Sequence, residues 1–478
     1  MEKLCSRVHI DYRATDKDLI RSTQFYSFMQ TINTLPPEPQ IPEILRILKL
    51  IFQPVQYVED LFKTYGDRFT ITTRDGTKYV YFGHPEALQQ IFTADPGQFK
   101  TGGGSEYLRF LLGDNSLTML DGDRHQRERQ LLTPPFHGER MRVYGETICE
   151  ISQQVSNNWK MGKPFTIRAS ILEITLRVML RVVFGLEEGP EFQKLRLTLI
   201  SLLDAINSPL MSSAIFLPFI QKDLGAWSPW GRIVRLRKQV DDLIHALIQE
   251  RRAKLKKDRQ DILSLLMCAT DQNGQGMSDR EINDELMTLL VAGHETTASA
   301  LTWAFYWVAY TPQVGNKLHR ELETVGDHPD PNVISKLPYL TAVCQETLRI
   351  YPIGIDGSFR AVEYPIEIMG YKLPKGTIVM PSIYIAHHRE ETYPQPNQFK
   401  PERFLERQFS PYEFLPFGGG NRRCIGFAFA QYEMKLILGT ILSRFQVSLV
   451  NKRPVTPVRH GFTVTAPLGM QMIANPLK

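Results

Sequence analysis

The most reactive arrangement in the chain is a single cysteine in a glycine-rich loop, Phe417-Gly418-Gly419-Gly420-Asn421-Arg422-Arg423-Cys424-Ile425-Gly426. Backbone N–H groups at a helix start carry partial positive charge, and two arginines add full charge beside it. Both favour thiolate over thiol. The glycines let the backbone fold closely around a large flat ligand and turn N–H groups toward sulfur, and Phe417 can supply an apolar face. An isolated low-pKa cysteine in this setting is either a nucleophile or an axial metal ligand. A buried structural cysteine, the reading that suits Cys5, Cys149, Cys268 and Cys344, needs neither the glycines nor the arginines.

Two further groups have chemical potential. Ala292-Gly293-His294-Glu295-Thr296-Thr297 places glycine and threonines inside a helical run, where they are poor choices. Alone it reads as a slight kink in a packed helix. A buried Glu beside a Thr makes sense if protons must be delivered to one point. Glu346 and Arg349 lie one turn apart on a helical face, a pairing that is worth little when exposed.

The elements that must hold these groups are mostly helical. From about Asp123 to Arg349 apolar residues recur at three- and four-residue steps. Breaks fall at Glu187–Pro190, at the Gly-, Pro- and Ser-containing stretch Asn207–Pro229, and at the solvated charge run Lys254–Arg259. Ser278-Asp279-Arg280-Glu281 has the form of a capping box and starts a long helix that Pro312 ends. Its segment Leu286–Tyr310 is long enough to span a bilayer, but His294 and Glu295 near its middle make it a buried core helix instead. Arg68–Thr73 and Lys78–Phe82 flank Asp75-Gly76, a hairpin signal. Small strands follow Tyr351, and a last helix spans about Gly426 to Arg444.

Near the start, the cluster Leu35-Pro36-Pro37-Glu38-Pro39 ends a polar extension, residues 1–34, that shows no export signal or membrane anchor. Ile41–Tyr57 follows as a short helix with a wide apolar surface; packing on the body is the plain reading, a face resting on a membrane the sharper one. Over 478 residues, 42% hydrophobic and 22% charged composition excludes a disordered chain, a collagen-like chain and a multi-span membrane protein. A net charge of +5, from 56 basic and 51 acidic residues, is too thin for a nucleic-acid binder. Five cysteines without a CxxC pair point to a reducing compartment, hence a cytoplasmic protein, with surface membrane contact as the only membrane association.

The pattern Phe-x-x-Gly-x-Arg-x-Cys-x-Gly, filled by Phe417, Gly420, Arg422, Cys424 and Gly426, resembles the haem-binding loop of the cytochrome P-450 family, and Ala430 and Glu433 continue it. The resemblance runs from the proline hinge to the carboxyl end. It implies one domain over 35–478, mainly α with small β-sheets (α+β), with haem b buried between the long core helix and the cysteine-loop helix. Cys424 is then the axial iron ligand, with Phe417, Gly418 and Gly426 around it and Ala292 against the cofactor. Glu295 and Thr296 become the catalytic pair that supplies protons on the distal side. Arg360, Arg422, Arg129 and His125 become the propionate partners, although many members have Trp where His125 stands. Glu346, Arg349 and Arg403, the last within Pro401-Glu402-Arg403-Phe404, form a buried structural network.

The implied activity is a haem-thiolate monooxygenase that uses O2 to hydroxylate a C–H bond. Electrons come from a separate ferredoxin or flavodoxin with its reductase, steered by Arg124, Arg127, Arg423 and Lys435. The family's lining regions, here Lys100–Leu117, Asn207–Pro229, Leu290–Ala292, Ile353–Phe359 and Thr463–Leu468, are apolar. They suit a fatty acid or terpenoid, with Arg109 as an anchor for a carboxylate. Two alternatives stand beside this: a peroxygenase or isomerase on the same fold, which could dispense with Glu295 and Thr296, and a haem sensor without turnover.

Overall fold

The computed structural model describes residues 35–477, apart from 103–105, 107, 137, 139, 209–220, 226, 255–258, 327–329 and 462. The amino-terminal extension expected over 1–34 lies outside the described residues, as do parts of the loop-rich region and the charge run.

The longer helices include α1 (Glu43–Phe52), α2 (Pro54–Tyr65), α3 (Gly122–Leu132), α4 (Arg140–Asn157), α5 (Ile167–Val182), α6 (Pro190–Asn207), α7 (Pro229–Ala253), α8 (Asp279–Tyr310), α9 (Pro338–Ile350) and α10 (Phe427–Leu442). The central one, α8, begins at the capping box: Glu281 N–H donates to Ser278 Oγ, and Ser278 N–H donates to Glu281 Oε2 at 2.8 Å. It ends at Tyr310, and Pro312 opens the next helix. Every residue of α8 from Thr297 to Val308 is buried. Near its end Trp307 stacks on Phe399 with ring centroids 4.9 Å apart. These contacts make α8 the protein core expected from the sequence.

Among the described residues, twelve strands form four small sheets. β1 (Arg68–Thr72) and β2 (Lys78–Phe82) make the hairpin expected at Asp75-Gly76, in register from Arg68↔Phe82 to Thr72↔Lys78. With β3 (Phe99–Lys100), β5 (Arg360–Val362) and β8 (Ile378–Pro381) they form one sheet, ordered β1-β2-β8-β5-β3, in which β2 and β8 run parallel. β6 (Ile366–Ile368) pairs with β7 (Tyr371–Leu373). β4 (Pro164–Thr166), β9 (Phe445–Leu449) and β12 (Gln471–Pro476) make the sheet β4-β12-β9, and β10 (Val458–His460) pairs with β11 (Thr463–Thr465).

The single helix expected over Ile41–Tyr57 is two. Pro54 has no N–H to donate and its ring blocks the preceding turn, so α1 stops at Phe52 and α2 starts with Pro54 in its first turn. α2 buries Val55, Tyr57, Val58 and Leu61. In contrast, α1 exposes Ile44, Leu45, Leu48 and Phe52.

Candidate active site

One cavity of about 420 Å³ lies between α8 and the cysteine loop. The loop is held by Cys424 N–H donating to Phe417 O at 2.9 Å and Gly418 N–H to Leu415 O at 2.9 Å. Gly420 needs to be glycine on two counts: its φ is +64°, and a Cβ there would stand 2.7 Å from the Phe92 carbonyl oxygen. Cys424 is enclosed by protein and its open surface faces the cavity. Burial pushes its thiol up, while a hydrogen bond from Gly426 N–H and the charges of Arg129 and Arg423 pull it down. Of these effects desolvation is the largest.

Across the cavity, α8 presents Glu285, Thr288, Leu289, Ala292, Gly293 and Thr296. Their three- and four-residue spacing puts them on one helix face. The Thr296 hydroxyl donates back to Ala292 O at 2.5 Å. Glu295 is one residue, or a hundred degrees, further round and is absent from the cavity wall. Its carboxylate is buried in an ion pair with Arg168 of α5, and His460 Nε2 lies 3.8 Å away. Arg168 also donates to Ser299 Oγ at 3.3 Å and Thr465 Oγ1 at 3.1 Å. Of the two residues expected on the distal face, only Thr296 reaches it.

The cations expected around a cofactor converge. His125 and Arg129 of α3, Arg360 of β5 and Arg422 of the loop all line the cavity. Arg360 is buried, donates to Gly419 O at 3.0 Å, and has no carboxylate partner among the described residues. Its Nε is buried without a partner. Arg129 likewise has no acidic partner on its guanidinium among the described residues, and burial pulls both arginines down. Arg422 is held by Asp121 and by Leu120 O at 2.5 Å, yet its Nε too lacks a partner. Burial, with Arg422 and Arg129 nearby, lowers His125 to about 4, so it is neutral with one N–H to give.

These residues fit haem b. Guanidiniums on the cavity wall, those of Arg129 and Arg360 without an acid among the described residues, suit two propionates, and a single sulfur suits one axial bond. At Gly418 and Gly426, both on the cavity wall, a Cβ would enter open space, leaving a flat ligand room to approach. No cluster of three or more His, Cys, Asp or Glu that could hold a metal is found among the described residues, and Cys424 is a cysteine on the cavity wall.

Behind the loop, Arg349 donates to both oxygens of Glu346, at 2.7 and 2.9 Å, and Arg403 Nε donates to Glu346 Oε1 at 3.1 Å. All three are buried, as the resemblance implied. Further donations from Arg349 to His387 O and Pro396 O, each at 2.8 Å, tie the network to the chain leading into the loop.

Other expectations change. Arg109, expected to anchor a substrate carboxylate, is bound to Glu106 and Asp114 and does not line this cavity. Arg127 is spent on Asp271 at 2.8 Å and on Glu128, and Lys435 on Ser335 O at 2.5 Å. Of the four steering cations, Arg124 and Arg423 remain exposed. Thr463–Leu468 contributes nothing to the wall; Thr465 serves Arg168 instead. Phe92, Met179, Val183 and Ile262 line the cavity without having been singled out, because ordinary apolar residues give no local signal of what they face.

A family model described as Cytochrome P450 matches residues 35–473. Putative cytochrome P450 138 of Mycobacterium tuberculosis is 35% identical over 413 residues, 86% of this chain and 89% of that one. Putative cytochrome P450 135B1 of the same species is 34% identical over 417 residues, 87% and 86% of the two chains. Among solved structures, the cytochrome P450DA heme domain matches with a TM-score of 0.82 at 22% identity, covering 94% of this chain and 99% of that one. A retinoic acid-bound cyanobacterial CYP120A1 matches with 0.79 at 23%, covering 93% and 100%. At such identities these two speak for the fold. The cysteine loop, the buried arginines and the long match together settle the question: the chain belongs to the cytochrome P450 family of haem b monooxygenases.

Proposed function

We propose that this monooxygenase hydroxylates an apolar substrate in the cavity above Cys424, as one domain over 35–478. The observation that carries this is the meeting, in one cavity, of Cys424, Thr296 and the guanidiniums of Arg129 and Arg360, which have no acid on them among the described residues. Haem supplies the oxygen activation and C–H oxidation when bound. The chain's own part is orientation and proton handling. Arg129, Arg360, Arg422 and His125 hold the propionates, and Ala292, Phe417, Gly418 and Gly426 shape the flat space. Thr296 keeps a proton on Oγ1 at the cavity wall. Glu295 supplies it from the far side of α8 once its carboxylate lets go of Arg168, and His460 is the next group along that route.

Electrons come from a separate ferredoxin or flavodoxin with its reductase, drawn by Arg124 and Arg423. A terpenoid skeleton suits the apolar lining better than a fatty acid, whose carboxylate loses its expected partner in Arg109. The protein works in the cytoplasm, with α1 as its membrane contact. No helix among the described residues is long and apolar enough to cross a membrane.

The test is turnover under isotopically labelled O2 with a surrogate ferredoxin, its reductase and NADPH. Label is expected in the product, and Thr296→Ala lowers product per NADPH by at least about tenfold. Unlabelled product, or turnover with peroxide that ignores Thr296→Ala, would favour the peroxygenase or isomerase instead.

A further inference from the structure

The cavity wall carries two acids that none of these roles uses, Glu285 and Asp356. Asp356 lies between α9 and β5, on a segment pinned beside the end of β8. Asp356 itself bridges to Ser382, Gly357 N–H donates to Pro381 O at 2.7 Å, and Tyr384 N–H donates to Ile355 O at 2.9 Å. The carboxyl is therefore held by backbone pairing and is not on a loose loop.

No Lys, Arg or His pairs with Asp356 among the described residues, and its Oδ1 is buried without a hydrogen bond. Burial raises it to about 7, with only the Ser382 hydroxyl easing its charge. That hydroxyl makes no hydrogen bond of good geometry. The phenol of Tyr81 is close enough to feel the charge but cannot neutralise it. A buried carboxylate left in this state is costly unless something else pairs with it.

The remaining polar groups narrow what that partner is. Arg129, Arg360 and Arg422 gather at the cysteine-loop end and are matched to the propionates. Glu285, the other acid on the wall, uses Oε1 to accept Leu117 N–H at 2.6 Å, a kind of hydrogen bond that Asp356 Oδ1 does not make. Arg109 is outside. Asp356 is thus an acid on the wall with no cation paired to it among the described residues.

We infer that Asp356 is a specificity-determining residue that pairs with a positively charged nitrogen on an otherwise apolar substrate, so that the cavity selects amines over carboxylic acids. This rests on the reading of the cavity as the substrate site. Hydrophobic burial of the skeleton supplies most of the affinity, and the charge pair sets the choice between ligands of equal length.

The test uses the haem-loaded protein and calorimetric titration with decyltrimethylammonium, decanoate and decan-1-ol. The quaternary nitrogen has no lone pair to bind iron, so charge alone is read. The cation is expected to bind about tenfold more tightly than decanoate. Asp356→Asn brings the two within about twofold and leaves decan-1-ol unchanged, while Asp356→Glu keeps the preference for the cation. Equal or tighter binding of decanoate to the unaltered protein overturns the inference, as does a preference that survives Asp356→Asn. So does failure of all three ligands to bind. The carbon monoxide spectrum of the same preparation reports separately on the haem-thiolate reading, so the two can fail independently. Should Asp356→Asn not fold, the cation-to-anion ratio of the unaltered protein still decides.

Discussion

Glu433 of α10 is buried where the cysteine-loop helix meets α8, with Oε1 unpartnered. Burial raises it to about 8, against a smaller opposing effect from the Thr297 hydroxyl. The group therefore holds a proton when folded that it would release when unfolded at neutral pH. Its contribution to stability is full below the ordinary carboxyl value of 4.5 and is lost as pH rises toward about 8. Glu433→Gln removes the titration, so the fall in thermal midpoint between pH 6 and pH 9 should narrow, by about 2 °C for each kcal/mol recovered. An identical pH profile in the variant would show that Glu433 does not titrate in this window. The Glu346–Arg349–Arg403 network is the opposite case. Each charge there has a partner, and losing one would strand the others. Its three members were legible because their spacing and order form a motif. Arg168 was not, since nothing local to position 168 says that it faces Glu295 across two packed helices.

At the scale of elements, α1 is built inside out. Arg46 is buried and donates to Thr72 O at 2.8 Å, whereas Ile44 and Phe52 are 74% and 70% exposed. A surface helix that packed only on its own protein would reverse this. The exposed face is expected to bind a bilayer surface, and Ile44→Ser with Phe52→Ser should lower co-sedimentation with phosphatidylcholine vesicles by roughly tenfold. Equal sedimentation of the double variant would assign that face to something other than lipid. The wide apolar surface was readable from side-chain spacing. The break at Pro54 was overlooked because the apolar run continues through it, although the ring forbids a single helix. The hairpin β1–β2 and the cap of α8 were readable for the reverse reason, since both are local chemistry. The parallel pairing of β2 with β8 joins segments about three hundred residues apart and leaves no trace in local periodicity.

Across the whole molecule, groups from α3, α8, β5 and the cysteine loop surround one cavity although the chain separates them widely. Their types and order were enough to name that cavity's cofactor. Their charge state and neighbours were not, because tertiary packing decides both: burial lifts the Cys424 thiol, Glu295 pairs with Arg168, Arg127 pairs with Asp271, and Lys435 donates to Ser335 O. The central claim is that Cys424 is the ligand of a haem iron, and the Soret band of the reduced, carbon monoxide-bound protein tests it most directly. A strongly red-shifted band in the unaltered protein, lost in Cys424→Ala, is the predicted result. A protein that takes up no haem, or one whose band is that of histidine ligation and survives Cys424→Ala, would contradict it.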